Sequence, residues 1–144
     1  MKYKFLWISA ALLLVVAIYY IKHPLAVRVQ IDGHVFVVDV AVTNQEKELG
    51  LGNRDYMPPD HGMLFVYDHV EAYSYWMKGM RFPLDMVWIK DKTIVDITKN
   101  IPVSVNGSLP IYTPKVPVDK VLELNAGTSD TYQIKPGDTL LITF

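Results

Sequence analysis

Val27-Arg28-Val29-Gln30-Ile31-Asp32-Gly33, followed by the apolar run Val35 to Val42, decides the fold class. The first five residues alternate apolar and polar side chains, the period of a strand with one buried face. Asp32-Gly33 is a favoured two-residue hairpin turn, because such turns need positive φ and Asp and Gly tolerate it best. The chain therefore starts its folded part as a β-hairpin.

Downstream, Thr43-Asn44-Gln45-Glu46 has the form of a capping box, and Gly50 and Gly52 are placed to end a short helix. Further strands are expected at Met63 to Tyr67, Ala72 to Met77, Met86 to Lys90, Thr93 to Thr98, Val121 to Leu124, Thr131 to Ile134 and Thr139 to Phe144. Pro102, Pro110, Pro114 and Pro117 mark an irregular excursion, since Pro cannot donate to a ladder. About eight short strands and one short helix predict a mainly β domain, either a small partly closed β-barrel or two packed antiparallel sheets. No repeat, low-complexity tract or second domain is visible.

The N-terminus has a different character. Phe5 to Ile21 is 17 residues long without a charge, about 25 Å as a helix and at the short end of what spans a bilayer. Trp7 and Tyr19-Tyr20 suit the two interfaces. The run ends in Tyr-Tyr-Ile-Lys-His-Pro rather than in the small residues of a cleavage site. The sequence thus predicts a signal-anchor and tether over residues 1–26 and a single domain over 27–144. Secretion after signal cleavage is the alternative.

Residues 27–144 carry 11 basic and 15 acidic residues, a net charge of −4. An excess of negative charge argues against a nucleic-acid partner, whose affinity comes from phosphate neutralisation. There is no Cys, which removes thiol chemistry and disulfides. The glycine-flanked serine elbow, the phosphate-binding glycine loop and the His-Glu-x-x-His helix are all missing. Asp60-His61 and Asp68-His69 repeat a pair, but neighbouring Asp and His seldom face one ion, so no metal site or other cofactor is expected.

What remains is a set of blocks in fixed order: Gly50-Leu51-x-x-Arg54, Gly62-Met63-Leu64-Phe65, Trp76-Met77-Lys78, Phe82-Pro83-Leu84-Asp85 and Leu122-Glu123-Leu124-Asn125-Ala126-Gly127. Together they resemble the family called domain of unknown function 192, from near Ala41 to Gly137-Asp138. The resemblance implies a fold, a site and a domain held outside the cytoplasm (periplasmic or extracellular), but no reaction. Two positions depart from the family pattern: Gly52 where Met is usual, and Gly79-Met80 where Asn-Thr is usual.

The candidate ligand-binding residues are Trp76, Lys78, Asp85, Glu123 and Arg54. A turn at Phe82-Pro83 would bring Lys78 to Asp85. Glu123 lies between two leucines, so on a strand it faces away from them. If it points inward it needs a partner, for which Lys78 or Arg54 would serve. Tyr73, Tyr75, Trp76, Trp88, Phe65 and Phe82 flank the region, as core filling or as walls of a sugar or peptide cleft. Three functions fit: a binding or accessory module for a small polar ligand, glycan or envelope partner; a glycan or peptide hydrolase pairing Asp85 with Glu123; or a structural subunit of a membrane complex.

Overall fold

In a computed structural model of the chain, described over residues 26–104 and 106–144, the opening hairpin forms as its sequence requires. β1 (Val27–Ile31) pairs antiparallel with β2 (His34–Ala41), and Asp32 and Gly33 both take positive φ, 45° and 83°. Helix α1 (Asn44–Leu49) follows behind the expected capping box. The Thr43 hydroxyl accepts the Glu46 N–H, and the Glu46 carboxylate accepts from the backbone of Thr43.

The remaining elements are β3 (His61–Glu71), β4 (Leu84–Lys90), β5 (Thr93–Ile101), β6 (Val118–Asn125), the single turn α2 (Thr128–Thr131) and β7 (Leu140–Thr143). All seven strands join one sheet in the order β5-β4-β6-β3-β2-β1-β7. The sheet is mixed, since β3 lies parallel to β2 after the α1 crossover, and it is one sheet where two packed antiparallel sheets were the alternative to a partly closed barrel. Its two edges curl toward each other. Thr93 bridges Thr139, and Ile94 N–H to Asp138 O (2.9 Å), Gly137 N–H to Ile94 O (2.8 Å) and Leu140 N–H to Lys92 O (2.9 Å) join the edges at one end. The result is a partly closed barrel, which also protects those edge groups.

Alternation along the strands sorts the apolar residues into two cores. Val29, Ile31, Phe36, Val38, Leu64, Val87, Leu122, Leu124 and Leu140 fill the concave side. Their neighbours Met63, Phe65, Met86, Trp88 and Val121 face the other way, and Leu51, Met57, Tyr75 and Met77 from the connecting segments cover them. The outer face of β3, β6 and β4 is thus itself a core.

Two expected strands are absent. Within Ala72 to Met77 only Tyr75 pairs, in an isolated bridge with Tyr112, because its residues serve as the cover of the second core. Thr131 to Ile134 instead follows a helical turn, α2, making a second helix beyond the one expected. The expected membrane segment, Phe5 to Ile21, lies outside the described residues. Among those described, no helix is long and apolar enough to cross a membrane.

Candidate functional site

The second core leaves one cleft. It lies between the end of α1, the Gly50-Leu51-Gly52 turn, the Ser74 to Met80 connection and the strand face bearing Phe65, Tyr67 and Glu123, and it encloses about 290 Å³. Two backbone features hold its walls together. Asn53 N–H donates to Gly79 O at 2.8 Å, and a Cβ on Gly52 would stand 2.9 Å from Leu49 O and 3.5 Å from Lys78 O. Gly52 and Gly79 therefore lie on the two sides of one seam.

Glu123 forms part of the cleft's floor. On β6 it stands opposite Met63 of β3 and Met86 of β4, and it is only 5% exposed. Among the described residues its carboxyl makes no hydrogen bond and no ion pair. Desolvation without a compensating partner pushes its pKa up to about 8. At neutral pH it is mostly a protonated acid, able to donate or accept.

Aromatic rings line the rest. The Tyr67 and Tyr75 hydroxyls bond to each other at 2.8 Å, and burial raises both phenols above their ordinary range. Tyr75 packs edge-on to Phe65 and Trp88. Tyr73 stacks on Tyr67 at 3.5 Å, while Lys47 Nζ stands 4.2 Å from the Tyr67 ring centroid. Trp76 is half exposed at the mouth.

Three of the five residues singled out from sequence, Trp76, Lys78 and Glu123, line this cleft; Asp85 and Arg54 do not. The Lys78 side chain is exposed and takes part in none of the six ion pairs among the described residues. The expected Lys78–Asp85 pair is not formed. Asp85 is fully buried and accepts three backbone N–H groups, from Asn100 (2.8 Å), Gly127 (3.2 Å) and Ser129 (2.8 Å). That many donors satisfy a carboxylate without any cation. Arg54 pairs with Asp39 at 2.7 Å on the surface and not with Glu123.

The paired-carboxylate arrangement is overturned as well. Asp85 stands opposite Leu124, and Glu123 opposite Met86, so the two carboxyls project from opposite faces of the sheet and cannot flank one bond. His61 Nδ1 lies 2.9 Å from its own neighbour Asp60, and among the described residues no cluster of three or more His, Asp or Glu could hold a metal. Sequence reasoning missed Tyr67 and Lys47. Tyr67 continues the Met63, Phe65 face of β3 by strict alternation, and Lys47 is set on α1 by the capping box.

Comparison with known proteins places the domain. The model of domain of unknown function 192, described as "Uncharacterized ACR", matches residues 27–142. A solved structure from Sinorhizobium meliloti 1021, provisionally named a transcription regulator, is 38% identical, with a TM-score of 0.73 over 81% of this chain and 91% of that one. A protein of unknown function from Novosphingobium aromaticivorans DSM 12444 is 29% identical, with a TM-score of 0.74 over 83% and 89%. No curated protein matches.

Proposed function

This chain belongs to the domain of unknown function 192 family, and we infer that its domain is a binding module whose ligand enters the cleft above Glu123. The observation that carries the reading is the buried Glu123 carboxyl, which faces an open cleft without a partner among the described residues. A polar group so desolvated is costly when left unpaired and cheap when a ligand completes it. Trp76 at the mouth supplies a flat apolar face, and Lys78 on the rim supplies a charge for the outer part of a small polar ligand or glycan.

The uncharged run Phe5 to Ile21 supports a domain tethered at a membrane, and Lys2 and Lys4 ahead of it support the non-cytoplasmic side. The name of the Sinorhizobium meliloti neighbour suggests a role at DNA. The net charge of −4 over residues 27–144 gives that role no support.

The test is a screen of small polar compounds and short glycans by thermal shift, repeated on Trp76→Ala and Glu123→Gln. The reading expects a compound that stabilises the wild type and loses its effect in both variants. A hit that stabilises all three proteins equally places the ligand elsewhere.

A further inference from the structure

Lys47 and Glu123 line the same cleft from opposite sides, and their relation to the rings between them narrows the ligand. Tyr67 is a two-faced ring: Tyr73 stacks on one face, and the Lys47 ammonium stands 4.2 Å from the ring centroid. A cation is therefore already drawn to the aromatic lining by the ring quadrupole. Below it, the Glu123 carboxyl has no partner among the described residues. Lys47 serves the ring and leaves that carboxyl unpaired.

We propose that the cleft receives an organic ammonium ion, its charge held between the Glu123 carboxylate and the faces of Tyr67 and Trp76, with Lys47 occupying part of that place in the empty protein. This rests on the binding reading above and assigns the ligand's class.

The donor inventory favours an alkylated head over a primary amine. A primary ammonium brings three N–H donors, and beside Glu123 and two phenols already bonded to each other the side-chain acceptors of the lining are Asn44, Glu48 and Ser74. Methyl groups on nitrogen remove those donors and add apolar contact to Phe65, Tyr75 and Trp76. A neutral ligand would gain from the rings but, above the pH at which Glu123 ionises, would leave the carboxyl's charge uncompensated. An anionic one would meet the ionised carboxyl as a repulsion over that same range.

Proton linkage provides a second signature. The groups facing Glu123 are the Tyr67 hydroxyl on β3, the Tyr75 hydroxyl, Ser74 and Lys78 on the connection, and Lys47 and Glu48 on α1. Met63 and Met86 flank it on the neighbouring strands and do not titrate. Both phenols are raised and stay neutral below pH 9. A cation binds the ionised carboxyl, so its binding expels the proton that Glu123 holds below about pH 8. Affinity then increases from pH 6 to pH 9, whereas a ligand that accepts from the protonated acid weakens over that range.

The experiment uses three probes of one shape: choline, its neutral isostere 3,3-dimethylbutan-1-ol, and the anion 3,3-dimethylbutanoate. Full-length protein in nanodiscs of phosphatidylglycerol, a lipid without an ammonium headgroup, is titrated while the Trp76 indole signal is followed. Choline should bind best, more tightly at pH 9 than at pH 6, with a loss of about tenfold or more in Glu123→Gln. Glu123→Met serves as a second variant without the carboxyl. Lys47→Met should strengthen choline binding by removing the internal competitor. Equal binding of the three probes, or choline binding unchanged by both Glu123 variants, overturns the ammonium proposal while leaving the cleft a ligand site. Silence of all three probes, while another compound binds in a Glu123-dependent way, overturns the ammonium class alone. Silence of every compound overturns the cleft itself.

Discussion

Glu123 and Asp85 stand on adjacent strands, one register step apart, and point to opposite faces of the sheet. Both are buried acids, with opposite surroundings. Asp85 receives three backbone N–H groups; Glu123 receives none among the described residues and faces a cleft. One is satisfied within the architecture, and the other lines a cleft without a partner among the described residues.

Asp85→Ala should therefore destabilise the domain without touching the cleft. It leaves the Asn100, Gly127 and Ser129 N–H groups without their acceptor, at a cost of about 3 kcal/mol or more. Urea unfolding of the variant, set beside ligand titration, checks this. Intact stability would mean that the three donors find other partners.

Glu123 should give the protein an inverted pH response. Its folded pKa, about 8, lies above its ordinary value of 4.5, so the folded state holds the proton more tightly. Its contribution to stability is full below pH 4.5 and is lost as pH rises through 8, at roughly 1.4 kcal/mol per unit of raised pKa. Asp96, whose carboxyl is lowered through its Lys115 bonds, acts in the other direction. The difference between wild type and Glu123→Gln isolates the effect. Urea midpoints at pH 5, 7 and 9 should fall more steeply for the wild type, and parallel curves would contradict it.

Much of this was legible in the chain. Asp32-Gly33 and Thr43 to Glu46 specify their turn and cap through contacts within a few residues, and alternation alone turned Glu123 away from Leu122 and Leu124. What alternation could not tell is that the outer face would be covered. That cover depends on Asn53 meeting Gly79 and Tyr75 meeting Tyr112, pairings between distant loops that leave no periodic trace. Asp85 was misread for the same reason, since its donors lie 15 to 44 residues away and are backbone groups of no particular residue type. Ala72 to Met77 has the aromatic composition of a strand, yet Tyr75 packs edge-on to Phe65 and Trp88 and Tyr73 stacks on Tyr67, so the segment covers the second core.

Gly62 carries a further expectation. A Cβ there would stand 2.7 Å from Glu123 O and 2.9 Å from Leu124 Cδ2, and the first contact is with backbone that cannot step aside. Gly62→Ala should push β6 away from β3, lower the melting temperature by several degrees and disturb the cleft floor. A variant that melts like the wild type would show that the two strands are not so tightly apposed.

The N-terminal run supports a separate test. Full-length protein should remain with membranes through carbonate washing, and its domain should be cut by protease added from the non-cytoplasmic side. Recovery of a chain starting near Val27 in the soluble fraction would replace the anchor with a cleaved signal.

The most direct test of a ligand site above Glu123 is the thermal shift of wild type against Glu123→Gln, measured with and without the compounds that bind. The predicted result is a less stable or equal wild type when empty, and a ligand-induced rise of several degrees in the wild type that the variant lacks. A wild type that no compound raises above the variant would make Glu123 a packing defect and the cleft an accident of the loops above it.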